Sequence, residues 1–99
     1  IFGPVVCLMA VKDLDEALDI ARRQPLANAN SIFTTSGRSA RKFSYEVPAA
    51  MCGINIGVAA PMSFFSFGGS KQSFFGDLKA HGREAYDFYT DRKVIISRW

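Results

Sequence analysis

The sequence predicts an α/β fold in which a parallel sheet is built from consecutive βαβ units. Three observations carry this reading: short apolar runs of strand length, amphipathic helical stretches between them, and a proline that stops each helix. Parallel strands joined by helices are covered on both faces, so their residues are expected to be apolar throughout and not to alternate.

The first strand is expected over residues 5–11, Val-Val-Cys-Leu-Met-Ala-Val. Asp13 then reads as the N-cap of a helix, with Glu16 three residues later forming a capping box. Leu14, Ala17, Leu18 and Ala21 recur at i, i+3, i+4 and i+7 and give that helix one apolar face, and Pro25 ends it. A second strand is expected over 30–35. Ser36 caps a second helix whose apolar face is Ala40, Phe43 and Val47, stopped by Pro48. The third strand is expected over 51–58.

Residues 62–77 follow, with five phenylalanines interleaved with three glycines and four serines. The phenylalanines at 64, 65, 67, 74 and 75 keep neither a helical nor a strand period, and glycine and serine weaken a helix interior. This stretch is therefore a loop. So aromatic a loop must press into its own domain or line a slot where something apolar binds.

Beyond it, residues 82–90 read as a short helix with Ala85, Phe88 and Tyr89 facing inward. The closing run Val94-Ile95-Ile96-Ser97-Arg98-Trp99 reads as a strand that pairs with a sheet edge, on another subunit or against residues 5–11 of the same chain. The division expected is thus residues 1–93 as one unit and 94–99 as a separate pairing strand.

Ninety-nine residues make at most one domain, and a chain this short buries only roughly 60 to 65% of its unfolded surface. The hydrophobic share of 48% is generous for that size, so some apolar surface is expected to serve a neighbour. The chain opens on Ile-Phe-Gly-Pro without a methionine and reads as part of a longer one.

A formal charge of +3 permits nucleic-acid contact, but the basic residues lie in short pairs among acidic ones and form no stripe. They read as solvated helix faces, and no nucleic-acid partner is expected. A self-standing α/β module that stacks single-stranded nucleic acid on the Phe/Gly loop is the alternative. No apolar run approaches the roughly 20 residues of a membrane span, and no membrane partner is expected. Cys7 and Cys52 sit in apolar runs as small buried hydrophobes, and His81 has no partner at ligand spacing, so no metal site is expected. A reducing compartment fits: cytoplasm in a bacterium or mitochondrial matrix in a eukaryote, without secretion.

The order of motifs is more specific than any one of them. Ile1-Phe2-Gly3-Pro4, Ser31-Ile32-Phe33-Thr34-Thr35, Gly53-Ile54-Asn55-Ile56, Phe67-Gly68-Gly69-Ser70-Lys71-Gln72-Ser73, and Phe88-Tyr89-Thr90 with Lys93 follow in that order. Together they resemble the C-terminal part of an aldehyde dehydrogenase. The loop departs from the general family pattern, with Ser66 at a proline position, Phe74 at a glycine and Asp77 at an arginine. These departures resemble the CoA-acylating methylmalonate-semialdehyde dehydrogenases. Gly82-Arg83-Glu84 lies too far downstream to be the family's own Gly-Arg-Glu, which Gly76 matches better.

The resemblance implies an NAD-dependent enzyme in which an active-site cysteine forms a thioester and coenzyme A takes the acyl group. A semialdehyde loses CO2 to give propionyl-CoA or acetyl-CoA, and the enzyme is a homo-oligomer. A covalent intermediate on a soft nucleophile divides a hard oxidation into easier steps. That cysteine belongs upstream, so no catalytic residue is expected in this chain. The resemblance assigns Phe2 to the nicotinamide end of the cofactor, Phe67 to the aldehyde tunnel, and Phe65 to its flank. Gly68 and Gly69 are expected to turn the backbone with positive φ, and Asn55 to hydrogen-bond loop backbone.

Overall fold

The computed structural model describes residues 2–99; Ile1, which begins the opening motif, lies outside them. The elements in order are α1 (Leu14–Arg23), β1 (Leu26–Ala27), β2 (Ala29–Ile32), α2 (Gly37–Glu46), β3 (Met51–Ile54), β4 (Ser70–Lys71), a 3-10 turn (Gly82–Glu84) and α3 (Ala85–Phe88).

Both long helices start and stop where local chemistry dictates. The Asp13 side chain accepts from Glu16 N–H at 2.9 Å, satisfying one of the free donors of the first turn. Glu16 reaches back to Lys12 N–H at 2.8 Å, one residue earlier than a regular capping box would place it. Pro25 cannot continue the helix, and the last α1 bond runs from Gln24 N–H to Ile20. In α2 the Ser36 hydroxyl accepts from Ser39 N–H at 3.2 Å, and the helix closes before Pro48 with Val47 N–H on the Phe43 carbonyl.

The two helices share one core. Leu18, Phe43 and Val47 are buried, with Leu14, Ala21, Ile32 and Ala49 packed around them. Leu18 is 1% exposed, and burying such a side chain contributes about 1.5 to 3 kcal/mol. At the rim Arg22 bridges Asp19 on its own helix and Glu46 on α2, and Lys42 pairs with Asp15. Beneath the helices β2 and β3 pair in parallel, Ala29 with Met51 through Ile32 with Ile54, with α2 as the crossover. That is the β-α-β unit expected from the sequence. A separate two-residue pair joins β1 to β4 in antiparallel fashion.

Several expectations are corrected. Residues 5–11 and 94–99 form no strand among the described residues, and their apolar side chains stand in the open. Apolar strands gain their stability from neighbours on both faces, and here Val6, Leu8 and Ile96 have no surface to bury against. The internal pairing of 94–99 with 5–11 is therefore not formed. The second and third strands are shorter than expected, ending at Ile32 and Ile54, where Asn55 takes a left-handed backbone with φ of 56°. Phe88 and Tyr89 do not face inward; they stack edge-on at 4.8 Å and are exposed. Cys7 and Cys52 are exposed, not buried. The chain is elongated, 70 × 33 × 25 Å, with a radius of gyration of 18.1 Å. A compact chain of this length has about 13 Å. The difference reflects terminal arms that pack on nothing within the chain.

Candidate functional site

The aromatic loop is tied down at both ends. At its downstream end Ser70 and Lys71 pair with Ala27 and Leu26. Lys71 takes a left-handed backbone, φ 52°, and its Nζ donates to the carbonyls of Arg22 and Gln24 at 2.8 and 2.9 Å. The cation thus occupies the negative end of α1, where unpaired carbonyls collect. Gln72 N–H donates to the Pro25 carbonyl, and Ala27 N–H donates to the Ser73 hydroxyl at 3.0 Å.

Gly69 is buried where the loop turns back on itself, and a Cβ there would stand 2.4 Å from the Ser73 carbonyl oxygen. The expected positive φ at Gly68 and Gly69 is not found. Close approach, not backbone handedness, excludes a side chain at Gly69, and the left-handed glycines are Gly76 and Gly82.

At its upstream end the loop leans on the segment before α3. Gly82 N–H donates to the Ser63 carbonyl at 3.2 Å, and the Ser66 hydroxyl donates to Glu84 Oε1 at 2.8 Å. Glu84 Oε2 accepts from Lys79 N–H at 3.1 Å. Those bonds hold the Glu84 carboxyl below its ordinary value, the Ser66 hydroxyl having the largest effect.

Between the two anchors Phe67 forms one wall of an open cleft of about 330 Å³, facing Ala29, Asn30, Ser31, Met51 and Val58. Phe67 is 44% exposed, and its ring centroid lies 5.7 Å from that of His81. The lining carries no charged side chain. Amide and hydroxyl groups sit on the β2 side, and apolar surface covers the rest, so the cleft can hold a small organic group away from water. A second hollow, of about 340 Å³, shares Met51 and Val58 and reaches Ser66.

The other sequence-assigned residues are not brought here. Phe65 is outside the cleft lining and packs on Phe64 with ring centroids 4.6 Å apart. Phe2 is fully exposed on the N-terminal arm. With no cation in the cleft, nothing among its residues holds a diphosphate, and Phe2 offers only an apolar contact to a nicotinamide. Among the described residues no three His, Cys, Asp or Glu side chains gather, and no helix is long and apolar enough to cross a membrane. Cys52 lies 3.9 Å from the Ala49 carbonyl, and desolvation pushes its thiol up, which disfavours the nucleophilic thiolate.

Asn55 hydrogen-bonds loop backbone as expected, at Thr34. Lys71 and Glu84 carry structural tasks that the sequence reading missed. No spacing rule marks a lysine that caps carbonyls 49 and 47 residues away. Glu84 meets Ser66, 18 residues upstream, and local spacing does not mark that tie either.

Comparison with known proteins places the chain among longer relatives. A model of the aldehyde dehydrogenase family matches residues 1–95. Malonate-semialdehyde dehydrogenase 2 of Geobacillus kaustophilus is 48% identical over 99 residues, which cover 100% of this chain and 20% of the relative. A Sinorhizobium meliloti protein assigned as a methylmalonate-semialdehyde dehydrogenase, solved with NAD, superimposes with a TM-score of 0.89 at 38% identity. The methylmalonate-semialdehyde dehydrogenase of Oceanimonas doudoroffii superimposes at 0.88 with 43% identity. Each superposition covers 99% of this chain and 20% of the other. The chain spans about a fifth of the length of the curated relatives it matches.

Proposed function

This chain belongs to the aldehyde dehydrogenase family, and from that premise we propose that it is the C-terminal portion of an NAD-dependent, CoA-acylating malonate- or methylmalonate-semialdehyde dehydrogenase. The observation that carries the proposal is Phe67, on the wall of an uncharged cleft, in a loop anchored at both ends. The names of the relatives, which match the chain over its full length, support the substrate class.

In that enzyme NAD accepts hydride and coenzyme A accepts the acyl group; this chain's residues shape the place where they do so. Phe67 walls the aldehyde path and, with Met51 and Val58, excludes water that would hydrolyse an activated acyl group. Phe65 stiffens the flank through its packing on Phe64. Phe2 supplies apolar contact at the nicotinamide end. The nucleophilic cysteine lies outside this chain, and residues 94–99, open in the chain by itself, become a strand through which subunits associate once a partner supplies a sheet edge.

The charge pattern favours this reading over a nucleic-acid-binding module. Arg22, Lys42 and Arg92 are paired with carboxylates, which leaves fewer cations free for phosphates.

The test is steady-state kinetics on the full-length enzyme that contains this chain, following NADH and acyl-CoA with both semialdehydes. CoA-dependent formation of acetyl-CoA or propionyl-CoA is expected, with Phe67→Ala lowering kcat/KM for the aldehyde while KM for NAD stays near wild type. Oxidation of these aldehydes to free acids without use of CoA would overturn the assignment. The 99-residue chain alone is expected to produce no NADH.

A further inference from the structure

We propose that Glu84 is a positioning residue for the aldehyde path: its carboxylate braces Ser66 against the segment before α3, and so sets where the neighbouring Phe67 stands. The proposal rests on the reading of Phe67 as an aldehyde-path wall.

Both carboxylate oxygens are used, one by the Ser66 hydroxyl at 2.8 Å and one by Lys79 N–H at 3.1 Å, so the group cannot rotate without losing a bond. Bonds to an ionised acceptor are the stronger kind. Serine does not fix its own φ as a proline would, so residue 66 depends on such an outside tie.

The surrounding geometry makes the tie effective. Gly82 N–H holds the Ser63 carbonyl at 3.2 Å, and a Cβ on Gly82, whose φ is +68°, would lie 2.9 Å from the Phe65 carbonyl carbon. The backbones are therefore in contact, and the brace acts over no slack. His81 meets the Phe67 ring at 5.7 Å. Residues 81–84 thus touch the loop at Ser63, Phe65, Ser66 and Phe67, immediately upstream of the Lys71 anchor. Loss of Glu84 removes the side-chain tie at one end of the arch that carries Phe67 and leaves there only the Gly82–Ser63 backbone bond, while the Lys71 end stays tied.

Four single variants of the full-length enzyme, Glu84→Ala, Glu84→Gln, Ser66→Ala and Phe67→Ala, and the Glu84→Ala/Ser66→Ala double variant test this by aldehyde and NAD kinetics beside thermal unfolding. Glu84→Ala is expected to raise KM for the semialdehyde roughly tenfold, less than the ~100-fold that a full ångström of misplacement can cost, with KM for NAD unchanged. Ser66→Ala should do the same, and the double variant should be no worse than the worse single, because both remove one link. Glu84→Gln keeps an acceptor and should recover most of the affinity. If Glu84→Ala does not fold, Ser66→Ala, which deletes one exposed hydroxyl, carries the same expectation. Wild-type aldehyde kinetics in Ser66→Ala, or additive losses in the double variant, would overturn the brace even where Phe67→Ala impairs aldehyde use. Wild-type aldehyde kinetics in Phe67→Ala would instead overturn the reading of the loop itself.

Discussion

The side-chain amide of Asn55 pairs with both backbone groups of Thr34: Thr34 N–H donates to Oδ1 at 2.8 Å and Nδ2 donates to the Thr34 carbonyl at 3.1 Å. In effect a side chain extends the parallel ladder by one residue, just after Asn55 N–H has bonded the Ile32 carbonyl at 2.8 Å. It fixes the connection that leads from β2 into α2, and the left-handed φ of 56° aims the amide there. Asparagine tolerates that conformation better than most residues.

Asn55→Ala should therefore lose two bonds and keep a strained backbone. At about 1 kcal/mol per bond, with a further 1 to 2 for the left-handed backbone, a loss of about 3 to 4 kcal/mol is expected by denaturant unfolding of the full-length enzyme. Asn55→Gly, which accepts that φ, should lose only about half as much. Equal losses in the two variants would show that backbone strain plays no part.

Lys71 makes an analogous tie at the loop's other end. Replacing it by methionine keeps the apolar stem and deletes the two bonds to Arg22 and Gln24 carbonyls. A destabilisation of roughly 1 to 2 kcal/mol is expected, discounted for solvent exposure. Hydrogen exchange at Leu26, Ala27 and Gln72 should speed up in the variant, while exchange in α2 stays as it was. Uniform acceleration through both helices would show that Lys71 supports the fold generally.

Acid should loosen two ties before the core responds. The hydrogen bond from Lys42 holds the Asp15 carboxyl below its ordinary 3.8, and that from Ser66 holds Glu84 below its ordinary 4.5. Each folded-state carboxyl binds its proton less readily than the unfolded one. Their stabilisation is therefore complete above the unfolded values and is lost as pH falls through the lower folded ones. Stability should be flat in these two groups from pH 6 to 8 and decline below about pH 4. Asp15→Asn and Glu84→Gln together should flatten that acid limb, as read by unfolding curves at stepped pH. A slope unchanged in the double variant would assign the acid limb to other carboxylates.

Residues 94–99 stand open in this chain, with Val94, Ile95 and Ile96 exposed. A strand so rich in β-branched residues presents unpaired backbone groups that a second subunit can satisfy. Deleting residues 94–99 from the full-length enzyme is expected to shift its sedimentation from oligomer toward monomer. An unchanged oligomer would give the strand an internal role.

Much of this architecture is legible in the sequence because it is set within one helical turn. Asp13 and Ser36 reach only to residues three positions ahead, Pro25 and Pro48 act on their immediate neighbours, and the spacing of Leu14, Leu18 and Ala21 on α1 and of Phe43 and Val47 in and just after α2 gives each helix one apolar face. The parallel pairing of β2 with β3 follows, since a helix between two strands brings them side by side in one direction. The aromatic loop is likewise readable from residues 62–77, and the family resemblance from the order of motifs along the whole chain.

The fate of residues 5–11 was not. An apolar run becomes a strand only when edges and covering faces exist for it, and those are properties of what surrounds the run. The site has the same character. Phe67 was singled out by its motif, yet what holds it, Lys71 on Arg22 and Gln24 at one end and Glu84 on Ser66 at the other, spans 18 to 49 residues of chain. Local spacing carries no trace of such ties, because each depends on two backbones meeting after the helices have packed. Even the glycine at 69 is explained by the approach of Ser73 and not by its own torsion, a contact that exists only once the loop has closed on β1.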